Sequence, residues 1–116
     1  MRHLEDQLQI SCVMYFEFKH RKIARLLHHS PNGGKRNAKE AARFKAMGVR
    51  AGFPDLILLL PNSQYHFLAI ELKTDKGRQS DYQKEYQQLI ESVGGKYVVV
   101  RSLDEFIKVV EEYLNT

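Results

Sequence analysis

Apolar positions along the chain follow two periods, and the alternation between them lays out a fold. Leu4, Leu8, Cys12, Tyr15 and Phe16 recur at three- and four-residue intervals, which predicts an amphipathic helix over residues 4–18. A short strand is expected over 23–29. The turn formers Ser30, Pro31, Asn32, Gly33 and Gly34 then mark a loop with Lys35 and Arg36 on its far shoulder. Asn37 is placed to cap a helix over 38–47 that Gly48 ends. Two strand-like runs follow, 56–60 and 67–73, joined by a hairpin-length loop from Pro61 to Tyr65. Beyond a polar link over 74–79, Tyr82, Tyr86, Leu89, Ile90 and Val93 stripe a third helix that Gly94 and Gly95 stop. A fourth strand is expected over 97–101, and Leu103, Phe106, Ile107, Val110 and Leu114 stripe a last helix with an acidic opposite face.

Helices interleaved with strands in this order predict an α/β layer fold, a mixed four-stranded sheet flanked by helices. The run 56–60 is apolar at every position, as a central strand buried on both faces would be. At 116 residues the chain is one domain's worth, expected to span 1–116 without internal repeat or linker. With 43% hydrophobic and 28% charged residues it has the composition of a globular protein with a real core. No apolar run approaches the ~20 residues of a membrane helix, and the N-terminus lacks a signal-peptide pattern, so a cytoplasmic location is expected. The single cysteine, Cys12, is read as a small core residue, since it can form neither an internal disulfide nor a Cys/His zinc site.

The distribution of charge says more than its total of +4. Residues 19–50 hold ten Lys/Arg against one acid, Glu40, so this stretch carries +9 and the remainder −5. A one-sided basic field suits nucleic acid, because each neutralised phosphate releases counterions; a merely solvated basic face is the plain alternative.

The candidate chemistry lies at the ends of the two central runs. If they form a hairpin centred on Ser63, residues whose numbers sum to 126 face each other, and Asp55 stands opposite Glu71. Alternation along the strand puts Lys73 on the same side as Glu71, with Ile70 and Leu72 facing the other layer. Two carboxylates so close repel unless a cation shares them, and hard oxygen ligands select Mg²⁺ or Mn²⁺. A cation there would polarise a phosphodiester, and Lys73 would orient the attacking water or stabilise developing charge. The competing explanation is a turn residue after Pro54 and an exposed same-face Glu/Lys pair, since short patterns of this kind arise by chance.

Taken together, Gly52-Phe53-Pro54-Asp55-Leu56, Ile70-Glu71-Leu72-Lys73-Thr74, and Gly77-Arg78-Gln79-Ser80 followed by Gln83 resemble the PD-(D/E)xK nuclease superfamily, and within it the VRR-Nuc, or virus-type replication-repair nuclease, branch. The Glu5-bearing helix, the Pro31-Asn32-Gly33-Gly34 loop and Gly94-Gly95-Lys96-Tyr97 also fit, so the resemblance covers most of the chain. It implies a restriction-endonuclease-like core. It further implies that Asp55, Glu71 and the main-chain carbonyl of Leu72 bind Mg²⁺ or Mn²⁺, that Lys73 is the catalytic lysine, and that Gln83 and Glu5 complete the site, Glu5 directly or through water. A bacterial or phage-infected cell is the implied setting.

Several of these residues admit a second reading. Ser80-Asp81-Tyr82-Gln83 is also a capping box, and Ser102-Leu103-Asp104-Glu105 repeats the motif with no chemistry nearby. Glu5 is equally a helix-start acid favoured by the dipole. His28 and His29 are assigned no metal, Gly33-Gly34-Lys35 lacks the phosphate-loop spacing, and Tyr82 and Tyr86 are expected to pack rather than to stack on bases. Asn32, Lys35, Arg36, Lys76 and Arg78 are the candidate DNA contacts, positioning phosphates rather than reading sequence. The expected function is a metal-dependent, structure-specific DNA endonuclease acting as a homodimer on branched DNA such as a Holliday junction. The alternatives are an exonuclease, nickase or flap nuclease with the same site, or a non-catalytic basic DNA-binding module.

Overall fold

The computed structural model describes residues 2–31 and 37–116. Helix α1 (Arg2–Lys19) leads through a 3₁₀ turn (Arg21–Leu26) into strand β1 (Leu27–His29); then follow α2 (Ala38–Ala46), β2 (Leu56–Leu58), β3 (Leu68–Leu72), α3 (Asp81–Ser92), β4 (Lys96–Val100) and α4 (Leu103–Leu114). Among the described residues the strands form one sheet in the order β1-β2-β3-β4, with the first three antiparallel and β4 parallel to β3. This is the α/β, mixed four-stranded architecture that the alternating periods predict.

The hairpin register is also the predicted one, with Leu56 facing Ile70, Ile57 facing Ala69 and Leu58 facing Leu68. Asn62 builds the turn: its side-chain Oδ1 accepts the backbone N–H groups of Gln64 and Tyr65 at 2.9 and 2.7 Å. Its Nδ2 donates to the Tyr113 carbonyl at 3.1 Å and so ties the hairpin to α4.

Parity along the strands sorts the core into two layers. Leu56, Leu58, Leu68, Ile70, Leu72 and Val100 face Cys12 and Phe16 of α1 and Phe106, Val110 and Tyr113 of α4. The opposite face carries Ile57, Ala69, Tyr97 and Val99 against Ile90 and Tyr86 of α3. Asp55 and Glu71 continue the second set, so their numbering alone assigns them to the α3 side.

Several elements differ from expectation. Residues 23–26 lie in the 3₁₀ turn, which leaves three strand residues of the expected seven. Strand β2 stops at Leu58, and Leu59 is exposed, because beyond it the chain turns through Leu60 toward α4, where the Tyr113 hydroxyl donates to the Leu60 carbonyl at 2.6 Å. Leu4 on α1, Tyr82 and Leu89 on α3 and Val93 just past its end are exposed rather than core. On α3 the core contact is made by Ile90 with Tyr86 beside it, and Leu89 next to Ile90 falls off that face. The caps behave as the motifs predict: Asn37 Oδ1 accepts the Glu40 N–H at 2.7 Å, and Gly48 (φ +109°) takes the left-handed conformation just past α2.

Candidate functional site

The site grows out of the point where β2 and β3 leave the ladder. Pro54 is fully buried and delivers Asp55 to the end of β2. Asp55 Oδ2 accepts the backbone N–H of Leu72 at 2.7 Å, so the carboxylate closes the hairpin where a ladder carbonyl would otherwise serve. From the other flank His29 Nδ1 lies 2.8 Å from the Asp55 carbonyl oxygen, which makes Nδ1 the protonated ring nitrogen. Asp55 is thus held at both its backbone and its side chain.

Glu71 is only 2% exposed, on a strand buried at all five positions. Its Oε1 has no hydrogen-bond partner, while Oε2 accepts from Gln83 Nε2 at 2.8 Å and lies 3.9 Å from Lys73 Nζ. Burial pushes its pKa up to about 9; the Asp55 charge and the hydrogen bond that a protonated Glu71 would make to Asp55 push the same way, Lys73 opposes, and Glu5 adds a smaller upward push. A hydrogen bond between two carboxyls exists only when one of them carries a proton. With both ionised, a buried oxygen lacks any donor and two negative charges adjoin, so the pair demands either a proton or a cation.

The donor chemistry fits a hard divalent cation: two carboxylates at the hairpin end, one with an orphaned buried oxygen, and the main-chain carbonyl of Leu72, the residue whose N–H Asp55 accepts. Among the described residues no three His, Cys, Asp or Glu side chains converge into a metal cage. Glu5 acts on Glu71 through its charge. A cation that keeps most of its water and takes one or two carboxylates, as Mg²⁺ does, matches such a sparse set.

Two further residues brace the arrangement. Gln83 does both things that its position allows: its Oε1 accepts the Ser80 N–H at 2.8 Å, Ser80 Oγ accepts the Gln83 N–H at 3.2 Å, and its Nε2 holds Glu71. Ser102 caps α4 through the Glu105 N–H, but Glu105 reaches one residue further back, to the Arg101 N–H at 2.6 Å. Lys73 is anchored at its backbone N–H, which donates to the Val100 carbonyl at 3.0 Å.

Arg101 and Tyr97 carry roles that no local motif announces. Arg101 Nη1 donates to the carbonyls of Thr74 and Gly77 at 2.9 and 2.8 Å and reaches that of Asp75 at 3.4 Å, gripping the loop after Lys73. Parallel pairing of Leu72 with Val100 puts Lys73 and Arg101 side by side, a signal visible only once that register is known. Burial pushes the Tyr97 hydroxyl up to about 12, against the hydrogen bond from Gln79 and with the Glu71 and Asp55 charges adding, so it faces the site as a neutral phenol.

The structure therefore brings Asp55, Glu71, Lys73 and Gln83 together, with Glu5 within electrostatic reach. The first turns of α1 share a groove with Thr74, Lys76 and Arg101 at the same end of the sheet. Lys76 and Arg78 are exposed on the loop beside Lys73. Asn32, Lys35 and Arg36 lie outside the described residues. Tyr82, expected to pack, is 62% exposed, because α3 turns its first-turn residue outward over α2.

Compared with known proteins, residues 2–104 match the model of the VRR-NUC domain family. A solved structure described as a VRR_NUC domain protein is 35% identical, aligns over 96% of this chain and 88% of its own, and superposes with a TM-score of 0.82. No curated protein matches.

Proposed function

Since the chain belongs to the VRR-NUC domain family and is a nuclease of the PD-(D/E)xK type, we propose that it is a Mg²⁺- or Mn²⁺-dependent deoxyribonuclease that cuts branched DNA as a homodimer. The observation that supports this best is the buried Glu71 carboxylate, with its partnerless Oε1, set against Asp55 and beside Lys73.

Asp55, Glu71 and the Leu72 carbonyl would hold the cation, with Glu5 contributing through water. When bound, a divalent cation supplies the positive charge that polarises a phosphodiester and acidifies water. The protein's own part is positional. Asp55 is fixed by the Leu72 N–H and Glu71 by Gln83, so neither carboxylate needs to reorganise as charge develops. Lys73, the one ammonium in ion-pair range of Glu71 among the described residues, would orient an attacking water or stabilise a developing phosphoryl charge. Lys76 and Arg78, with Asn32, Lys35 and Arg36, would hold flanking phosphates. A two-fold dimer would present two such sites to paired strands.

The test is cleavage of matched four-way junction, flap and linear duplex DNA with Mg²⁺, Mn²⁺ or EDTA, alongside Glu71→Ala and Lys73→Ala. Paired symmetric nicks on the junction, lost in EDTA and in both variants, are expected. Cleavage confined to flap or linear DNA would keep the site and discard the junction; full activity in either variant would overturn the site.

A further inference from the structure

A second concavity adjoins the carboxylates without taking part in their chemistry. Helix α2, the loop after it and the first two turns of α3 enclose a cleft of about 420 Å³, lined by Phe44, Lys45, Val49, Arg50, Tyr82 and Tyr86. It is within the ~300–1,000 Å³ of ordinary ligand sites. Its wall runs into the site already described. Tyr82 precedes and Tyr86 follows Gln83 on α3, and the Tyr86 ring packs edge-on against Phe53, two residues before Asp55, with centroids 5.4 Å apart. Gly52, at φ +82°, lets the loop close directly on α3: a Cβ there would fall 2.6 Å from the Tyr82 backbone carbon.

The lining has an unusual chemistry for a surface. Three aromatic rings and two cations meet with no acidic residue among them, and neither Lys45 nor Arg50 is ion-paired among the described residues. One ring, Phe44, already has the Arg43 guanidinium over it at 5.0 Å. The Tyr82 ring, by contrast, stands 62% exposed at the rim. Aromatic faces flanked by unpaired cations are what a nucleotide recognises, its base stacking on the ring and its phosphate meeting the charge. A purely apolar partner would leave both cations unmatched.

We propose that this cleft is a subsite for an unpaired nucleobase of the DNA strand being cut, stacked on Tyr82 with Tyr86 behind it, while Lys45 and Arg50 hold the adjoining phosphates. The proposal rests on the nuclease reading and sharpens it. In a closed duplex every base is stacked and paired and is extruded only at a cost of about a few kcal/mol, so a flap, a gap or a branch point whose pairs have opened offers a base to this cleft most cheaply, and the cleft therefore favours such structures over linear duplex.

The experiment is binding of wild-type protein in EDTA, where no cleavage intervenes, to a gapped or flapped oligonucleotide with 2-aminopurine at the unpaired position and to the fully paired duplex. Quenching of the probe on the unpaired substrate is expected, together with a loss of affinity of about tenfold or more in Tyr82→Ala for that substrate alone. Tyr82→Phe should retain both. Probe quenching and affinity unchanged in Tyr82→Ala, or equal losses on duplex and unpaired DNA, would overturn the proposal. The nuclease reading is judged separately, by cleavage with Mn²⁺ restored: tyrosine-dependent quenching without cleavage of any substrate would remove that reading and leave the base-binding cleft standing.

Discussion

Gln83 joins Glu71 to the start of α3 with the two ends of one amide, Nε2 donating to Glu71 Oε2 and Oε1 accepting from Ser80, both at 2.8 Å. Capping and orientation of the carboxylate are therefore one function rather than alternatives. Gln83→Ala should lose about 0.5–2 kcal/mol of stability with the cap and lower the cleavage rate as well. Gln83→Glu keeps an acceptor for Ser80 but presses another charge on Glu71, so it should cut more slowly than wild type while retaining the cap. Thermal unfolding beside single-turnover cleavage separates the two effects; wild-type cleavage in Gln83→Ala would reduce the residue to a cap.

The proton on Glu71 links stability to pH. Because its pKa is raised from 4.5 to about 9 on folding, the folded state binds that proton more tightly than the unfolded one. The associated stability is complete below about pH 4.5 and drains away as pH climbs to about 9. In EDTA the wild-type Tm should therefore fall over this window, whereas Glu71→Gln should flatten the fall and melt higher at about pH 8. Mn²⁺ should raise the Tm of wild type and not that of the variant. A variant that melts below wild type in EDTA at that pH would contradict the buried-charge account.

Arg101 acts on Lys73 through the loop that it grips. A Cβ on Gly77 would approach Lys73 Cδ to 3.2 Å, so the loop packs on the lysine's stem and its placement sets the ammonium's. Arg101→Lys keeps the charge but not the planar fork that reaches Thr74 and Gly77 together. About a tenfold drop in kcat, near 1.4 kcal/mol, with KM little changed is expected. An unchanged kcat would show the grip to be irrelevant to the site.

Helix α1 is fastened to α4 at Glu111, whose Oε2 accepts the Tyr15 hydroxyl at 2.6 Å and lies 2.6 Å from His20 Nε2. The Tyr15 hydrogen bond holds the carboxyl below its usual range; partial burial opposes, and His20 helps. A carboxyl depressed on folding stabilises above its unfolded pKa of 4.5 and loses that contribution as pH falls through the folded value. Denaturation across the acid limb should be less steep in Glu111→Gln; an unchanged acid slope would dissociate the clamp from acid sensitivity.

Phosphate binding is readable from salt. Lys76 and Arg78 are exposed beside Lys73, and replacing both by Gln should weaken binding to all DNA sequences alike. The slope of log K against log salt should become shallower by about 0.9 for each phosphate that is no longer neutralised. An unchanged slope would exclude both residues from the phosphate path.

What could be seen in advance follows from the range of each interaction. Asp55 and Glu71 were legible because antiparallel register and strand parity are arithmetic on residue numbers, and a hairpin turn at Asn62 sets the origin of that count. The 3₁₀ turn over Arg21–Leu26 was not, since Ile23, Leu26 and Leu27 suit a strand edge and a tight turn equally. Tyr82 misled for a related reason: it holds the right phase for the α3 stripe, yet the stripe outruns the sheet, so phase without a facing layer leaves it in solvent. Arg101 has no local signature at all. Its meaning comes from the segment that follows the parallel partner strand, with Thr74 lying 27 positions back.

Every residue of β3 is buried, and Glu71 belongs to that strand. The acid is thus embedded in the least forgiving part of the molecule, where every position packs into one or the other layer of the core. The surfaces over which DNA would pass, α2 and the 74–79 loop, are nearly all exposed or half-exposed and carry little of the core. Engineering toward new substrates should accordingly succeed by rewriting those outer segments around an untouched strand, and libraries that diversify β3 should yield mostly unfolded chains.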